Sequence, residues 1–157
     1  MDEDSVISTI IDNINKNKGD ILVGIMSSIN ELKTEDFTVT KDTIKKVLKE
    51  QNIEIPSEYT SVVDNLQSIS YTGNDNGKDG NLEINFETDV KFNAGVDISA
   101  PKKVSYDFYF DGNNIIAQPK SKDTAITGLG LKLNELKFTG DSLSVKAGVI
   151  RKTIWEK

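Results

Sequence analysis

The sequence predicts an α+β fold, with N-terminal helices packed on a long, curved antiparallel β-meander. Three observations predict it. Apolar residues in the N-terminal part recur at spacings of three and four, the mark of one-sided helices. From Ile69 onward they alternate with polar residues, the mark of strands with one dry face. The change happens once, so helices precede strands instead of interleaving with them. The chain of 157 residues reads as a single domain, 1–68 mainly helical and 69–157 mainly antiparallel β.

The elements follow in order. Asp2, Glu3 and Asp4 suit the positive end of a helix dipole, and Val6, Ile7, Ile10, Ile11 and Ile14 form its apolar stripe. Gly19 is a C-terminal stop, or else a glycine inside one kinked helix at a cost of ~1 kcal/mol. Asp20 caps a second helix carrying Leu22, Ile25, Met26, Ile29 and Leu32. Phe37 and Val39 make a short extended link. A third helix runs from Lys41 to Gln51 behind Thr40, with Ile44, Val47 and Leu48 inward. Ile53–Pro56 is extended, because the residue before proline avoids the helical region. Ser57 opens a last helix through Tyr59, Val62, Val63 and Leu66.

Ile69 and Tyr71 begin the strands, and the turn-rich stretch from Thr72 to Gly80 follows. From Leu82 to Ile98 every second residue is apolar or small, without a phase slip. A single strand of that span would reach ~55 Å at ~3.3 Å per residue, so the run is one very long curved strand or two meeting at a bend that keeps register. Ala100-Pro101 ends it. Val104, Tyr106, Phe108 and Phe110 alternate up to a hairpin signal at Asp111-Gly112. Leu129, Leu131 and Leu133 alternate, then the phase slips to Leu136 and Phe138, which predicts a bulge at Asn134-Glu135. A turn at Thr139–Ser142 leads into Leu143, Val145, Ala147 and Val149.

Composition narrows function. The chain has no cysteine and no histidine, which removes disulfides, thiol nucleophiles and any histidine base. Net charge is −6. The acidic groups concentrate in residues 1–80, 15 Asp/Glu against 8 Lys, while residues 81–157 hold 10 against 11 basic groups. An acidic first half opposes nucleic-acid binding, and acids around the Lys41–Lys49 helix spoil a phosphate-binding face. No export signal or membrane-length apolar run is visible, so the chain reads as soluble and, by default, cytoplasmic.

Candidate chemistry is sparse. Ser144 and Lys146 share one strand face without a cleft, and the face reads as solvated. Asp75–Leu82 resembles part of a calcium loop, but Gly77 and Phe86 stand where oxygen ligands are needed, so it reads as a hairpin loop. No catalytic residue, metal site or cofactor is assigned. The first expectation is therefore a non-catalytic protein-interaction module, such as an inhibitor, immunity-type protein or assembly component. Its partner-binding face would be Glu83, Glu87, Asp89 and Asp97, the acids on the wet side of the long run. Self-association through an open sheet edge is a second route to a partner. The alternative is a carrier of lipid or another apolar ligand in a cavity between the curved sheet and the helices, lined by Leu82, Ile84, Phe86, Val90, Phe92, Val96 and Ile98. Thr88 and Ala94 interrupt that dry face with small side chains, as if a helix packed there, which favours a filled interior and the interaction module.

Overall fold

Residues 2–157 are described by a computed structural model. Helix α1 (Glu3–Lys16) starts at Asp2, whose carboxylate accepts a hydrogen bond from the Ser5 amide at 2.8 Å. Helix α2 (Ile21–Leu32) starts the same way at Asp20, which accepts from the Val23 amide at 3.0 Å. Between them Lys18 and Gly19 take positive φ, and the Gly19 amide closes α1 by bonding the Ile14 carbonyl. The two helices form a hairpin so close that a Cβ on Gly24 would strike Ile14. Buried Asn13 on α1 donates to Ser28 Oγ on α2 at 3.0 Å, so this polar pair sits inside the contact without loss.

Strand β1 (Phe37–Thr40) runs directly into α3 (Lys41–Glu50). Thr40 holds the cap position, but its side chain makes no capping bond. Its amide and hydroxyl instead donate to the Glu3 carboxylate, at 2.7 and 3.1 Å, tying α1 to the start of α3. The helix expected from Ser57 divides into a single 3-10 turn (Ser57–Tyr59) and a short α4 (Thr60–Asn65), and Leu66 already belongs to β2 (Leu66–Gly73).

The remaining chain forms β3 (Asp79–Phe86), β4 (Val90–Asn93), β5 (Asp97–Ala100), β6 (Lys103–Asp111), β7 (Asn114–Pro119), β8 (Thr127–Gly128), β9 (Leu131–Phe138), β10 (Ser142–Ala147) and β11 (Ile150–Glu156). All eleven strands join one antiparallel sheet, with the helices packed against it. Its main path runs β1-β2-β3-β6-β7-β9-β8-β5-β4, and β10 and β11 continue from the other side of β9. The sheet forks at β9. Leu136–Phe138 pair with β7, whereas Leu131 and Lys132 pair with β8. The predicted bulge is present: β10 pairs Lys146 with Glu135 and Ala147 with Leu133, leaving Asn134 unopposed.

The run from Leu82 to Ile98 is neither one strand nor two. It spans most of β3, a bend at Glu87–Asp89, and the β4–β5 hairpin. Its unbroken alternation has a simple geometric cause. Residues opposite each other in an antiparallel pair share a face, and here Asn93 faces Asp97 across a three-residue loop. An odd loop keeps even-numbered residues on one side, so Phe92 and Ile98 are partners, as are Val90 and Ala100. Gly95, with φ +82°, is the residue that allows the reversal.

This overturns the packing role expected of Thr88. Thr88 lies exposed on the bend, its hydroxyl donating to Asn65 Oδ1 at 3.1 Å, and Ala94 opens the hairpin loop. Both mark breaks in the backbone, Thr88 in solvent and Ala94 buried against the core. The long-strand edge is also absent: β3 is paired on both sides, and the sheet's free edges are β1, β4 and β11. At Asp111-Gly112 the turn is shifted by one residue. Asp111 pairs with Asn114, and Gly112 with φ +60° takes the first central position, as in a type II′ turn.

Candidate functional site

Helices and sheet do not meet fully. Between them lies a cavity of about 330 Å³. From the helical side it is lined by Ile7, Ile10, Ile11 and Ile14 of α1, by Leu22, Ile25 and Met26 of α2, and by Ile44 and Leu48 of α3. Each set comes from the apolar stripe that helical spacing predicts, so the stripes turn inward but face space instead of a partner. Val62 and Val63 of α4 and Ile53 and Ile55 of the extended link complete this wall. The sheet contributes Leu82, Ile84 and Phe86 of β3, Phe92 of β4, and Val104, Tyr106 and Phe108 of β6. Many of these side chains are only half-buried although they point inward, Ile10, Ile11, Leu22, Ile25, Ile84 and Phe92 among them.

Of the ligand-lining residues expected from sequence, Leu82, Ile84, Phe86 and Phe92 line the cavity. Val90, Val96 and Ile98 lie outside its lining. Val90 and Ile98 are fully buried elsewhere in the core, and Val96 sits in the β4–β5 loop. Sequence reading missed the helical half of the lining. The signal was present as the α1 and α2 stripes, which pattern alone assigns to a packed core.

The polar inventory of the lining is short. The Tyr106 hydroxyl sits at the fork of the sheet, donating to the Leu133 carbonyl at 2.7 Å and accepting from the Ile126 amide at 3.0 Å. Burial pushes this phenol well above its usual pKa, against a smaller opposite pull from the Ile126 N–H, and keeps it a neutral donor. The Tyr59 hydroxyl donates to the Gly19 carbonyl at 3.4 Å, joining the 3-10 turn to the α1–α2 turn. Its pKa is also raised, by burial first and then by the charges of Glu58 and Asp20. Both hydroxyls are thus engaged with backbone. The cavity reaches the surface where the exposed residues Asn15, Glu54 and Pro56 join its lining. That mouth lies between the end of α1 and the link 53–56, a stretch without strand pairing.

The four acids expected to bind a partner sit on β3, on the bend that follows it and on the β4–β5 hairpin. Glu83, half-buried on β3, lies 3.7 Å from Lys103 and accepts from Asn85. Glu87 pairs with Lys41 at 3.5 Å, and Asp89 is exposed on the same bend. Asp97 sits at the far end of the β4–β5 hairpin, where Asn93 donates to it at 3.1 Å. Asp75–Leu82 is the β2–β3 connection and the start of β3, its Asp79 carboxylate taken up by the Asn74 amide at 2.9 Å. Among the described residues no helix is long and apolar enough to cross a membrane. No family model, curated protein or solved structure matches this chain.

Proposed function

We propose that this protein binds an apolar ligand, a small hydrophobic molecule or single hydrocarbon chain, in the cavity between its helices and its sheet. The observation that carries the reading is the cavity itself, about 330 Å³ bounded almost wholly by aliphatic and aromatic side chains. That size falls within the range of small-molecule sites, ~300–1,000 Å³. A void left empty costs ~24 cal/mol per Å³, so even half of this one is worth ~4 kcal/mol, a large part of a domain's ~5–15 kcal/mol stability. Occupancy by something apolar recovers that contact energy, whereas water would find no free polar partner inside.

The volume also limits the ligand's size. At ~30 Å³ per water-sized unit the space takes roughly ten carbon atoms. With both tyrosine hydroxyls engaged, a polar group on the ligand belongs at the mouth, beside Asn15 and Glu54. The protein-interaction reading is the less supported of the two, because two of its four acids are already paired with lysines.

The test is native mass spectrometry of the purified protein, followed by titration of delipidated protein with dodecanol. Bound mass or a dodecanol-dependent rise in Tm is expected. Protein that carries no ligand and melts at the same temperature with and without dodecanol would remove the proposal.

A further inference from the structure

Among the described residues, four of the five large apolar side chains that stand exposed gather at two neighbouring hairpin tips; the fifth is Tyr109 on β6, 49 % exposed. Val149 is 97 % exposed and Ile150 56 % at the β10–β11 turn, with Leu131 47 % and Leu129 37 % at the β8–β9 turn. The turns lie side by side, since a Cβ on Gly148 would stand 3.6 Å from the Leu131 side chain. The residue choice at both is unusual. In the β8–β9 turn Leu129 and Gly130 both take positive φ, +57° and +76°, the type I′ shape that normally selects Asn or Asp at its first position. A leucine there accepts backbone strain to present an aliphatic side chain to solvent. In the β10–β11 turn Gly148 supplies the positive φ and Val149 fills the outer position. The β6–β7 turn has the same shape and carries polar Asn113 there.

Charge surrounds these tips. Lys132, Arg151 and Lys152 follow directly on the apolar residues, and residues 127–157 hold six basic groups against three acidic ones in a chain whose net charge is −6. Of the acids nearby, Glu135 is held by Arg151 at 2.8 Å and Asp97 accepts from Asn93. Four aliphatic side chains fall far short of the ~800 Å² per partner that a stable dimer needs. They suit shallow insertion below lipid headgroups, with Lys132 and Lys152 at headgroup level.

We infer that the paired β8–β9 and β10–β11 tips dock this protein on an anionic phospholipid bilayer. The docking surface is distinct from the cavity mouth and stands or falls without the ligand reading.

Vesicle flotation tests it. Wild-type protein is expected to float with phosphatidylcholine vesicles containing about 30 % phosphatidylserine, and to float far less with phosphatidylcholine alone or in high salt. Val149→Asp combined with Ile150→Asp is expected to reduce flotation roughly tenfold while leaving Tm unchanged. Lys132→Glu with Lys152→Glu, on the same fold, is expected to weaken it as well. Wild-type protein that stays with neither vesicle, or tip variants that float as well as wild type, would overturn the inference. So would a wild-type dimer that Val149→Asp dissolves, which would give the tips to a second copy.

Discussion

Two interiors coexist in this molecule. Around β7, β9 and β10 the core is full: Ile115, Ala117, Leu133, Leu143, Val145 and Ala147 are all inaccessible to solvent. Beneath α1 and α2, side chains of the same chemistry stand half-buried around a void. The difference lies in what sets the distance between facing elements. Strands lock to one another by backbone hydrogen bonds, so side chains on a strongly curved sheet are forced together. The helices are held by ties at their ends and flanks. Glu3 is bonded to Thr40, Asp4 pairs with Lys46 at 3.2 Å, Tyr59 bonds Gly19, and Lys18 bonds the Glu156 carbonyl at 3.0 Å. Such struts fix where the helices sit without requiring that the space below them be filled.

Substitutions on the two sides sharpen this contrast. Leu143→Ala, in the full core, is expected to cost ~3–4 kcal/mol, read as a fall in the urea midpoint at unchanged m-value. Tyr106→Phe removes the hydroxyl that joins the two branches of the sheet and strands the Ile126 amide, for a loss of ~2 kcal/mol in the same assay. Ile25→Ala, on the hollow side, is expected to cost only ~1–2 kcal/mol, because part of that side chain already faces a void. If it costs as much as Leu143→Ala, the contrast between the two interiors is lost. Ile25→Phe adds volume where there is room, so stability should change by less than ~1 kcal/mol, against ~1–3 kcal/mol for overpacking a full core. The same variant should abolish the Tm rise produced by dodecanol. Val149→Asp, outside both interiors, should shift stability by no more than ~0.5 kcal/mol.

Much of the fold was legible in the residues. The acidic start of α1, the Asp20 cap, the Gly19 stop, the α1 and α2 stripes, the Ala100-Pro101 break and the bulge at Asn134 all stand where local chemistry puts them. The long run misled in one respect. Alternation records which face a residue occupies, not whether the chain has turned, so a hairpin with an odd loop is invisible to it. Gly95 was the available sign, a glycine at the centre of an otherwise regular pattern. The candidate site was half legible: β3 and β4 supplied Leu82, Ile84, Phe86 and Phe92 as expected. Its helical wall was legible only as apolar surface, because a stripe that packs and a stripe that lines a cavity have the same sequence.

By itself the sequence determined the element types, their order, their apolar faces and the exclusion of thiol and histidine chemistry, since each depends on neighbouring residues or on composition. The tertiary structure alone decided that β3 is an interior strand, that two apolar tips lie side by side, and that the interior is hollow on one side. A cavity is a difference between the volume that elements enclose and the volume their side chains fill. That difference is set by contacts between residues far apart in the chain, such as Glu3 with Thr40 and Tyr59 with Gly19, and no local pattern encodes it.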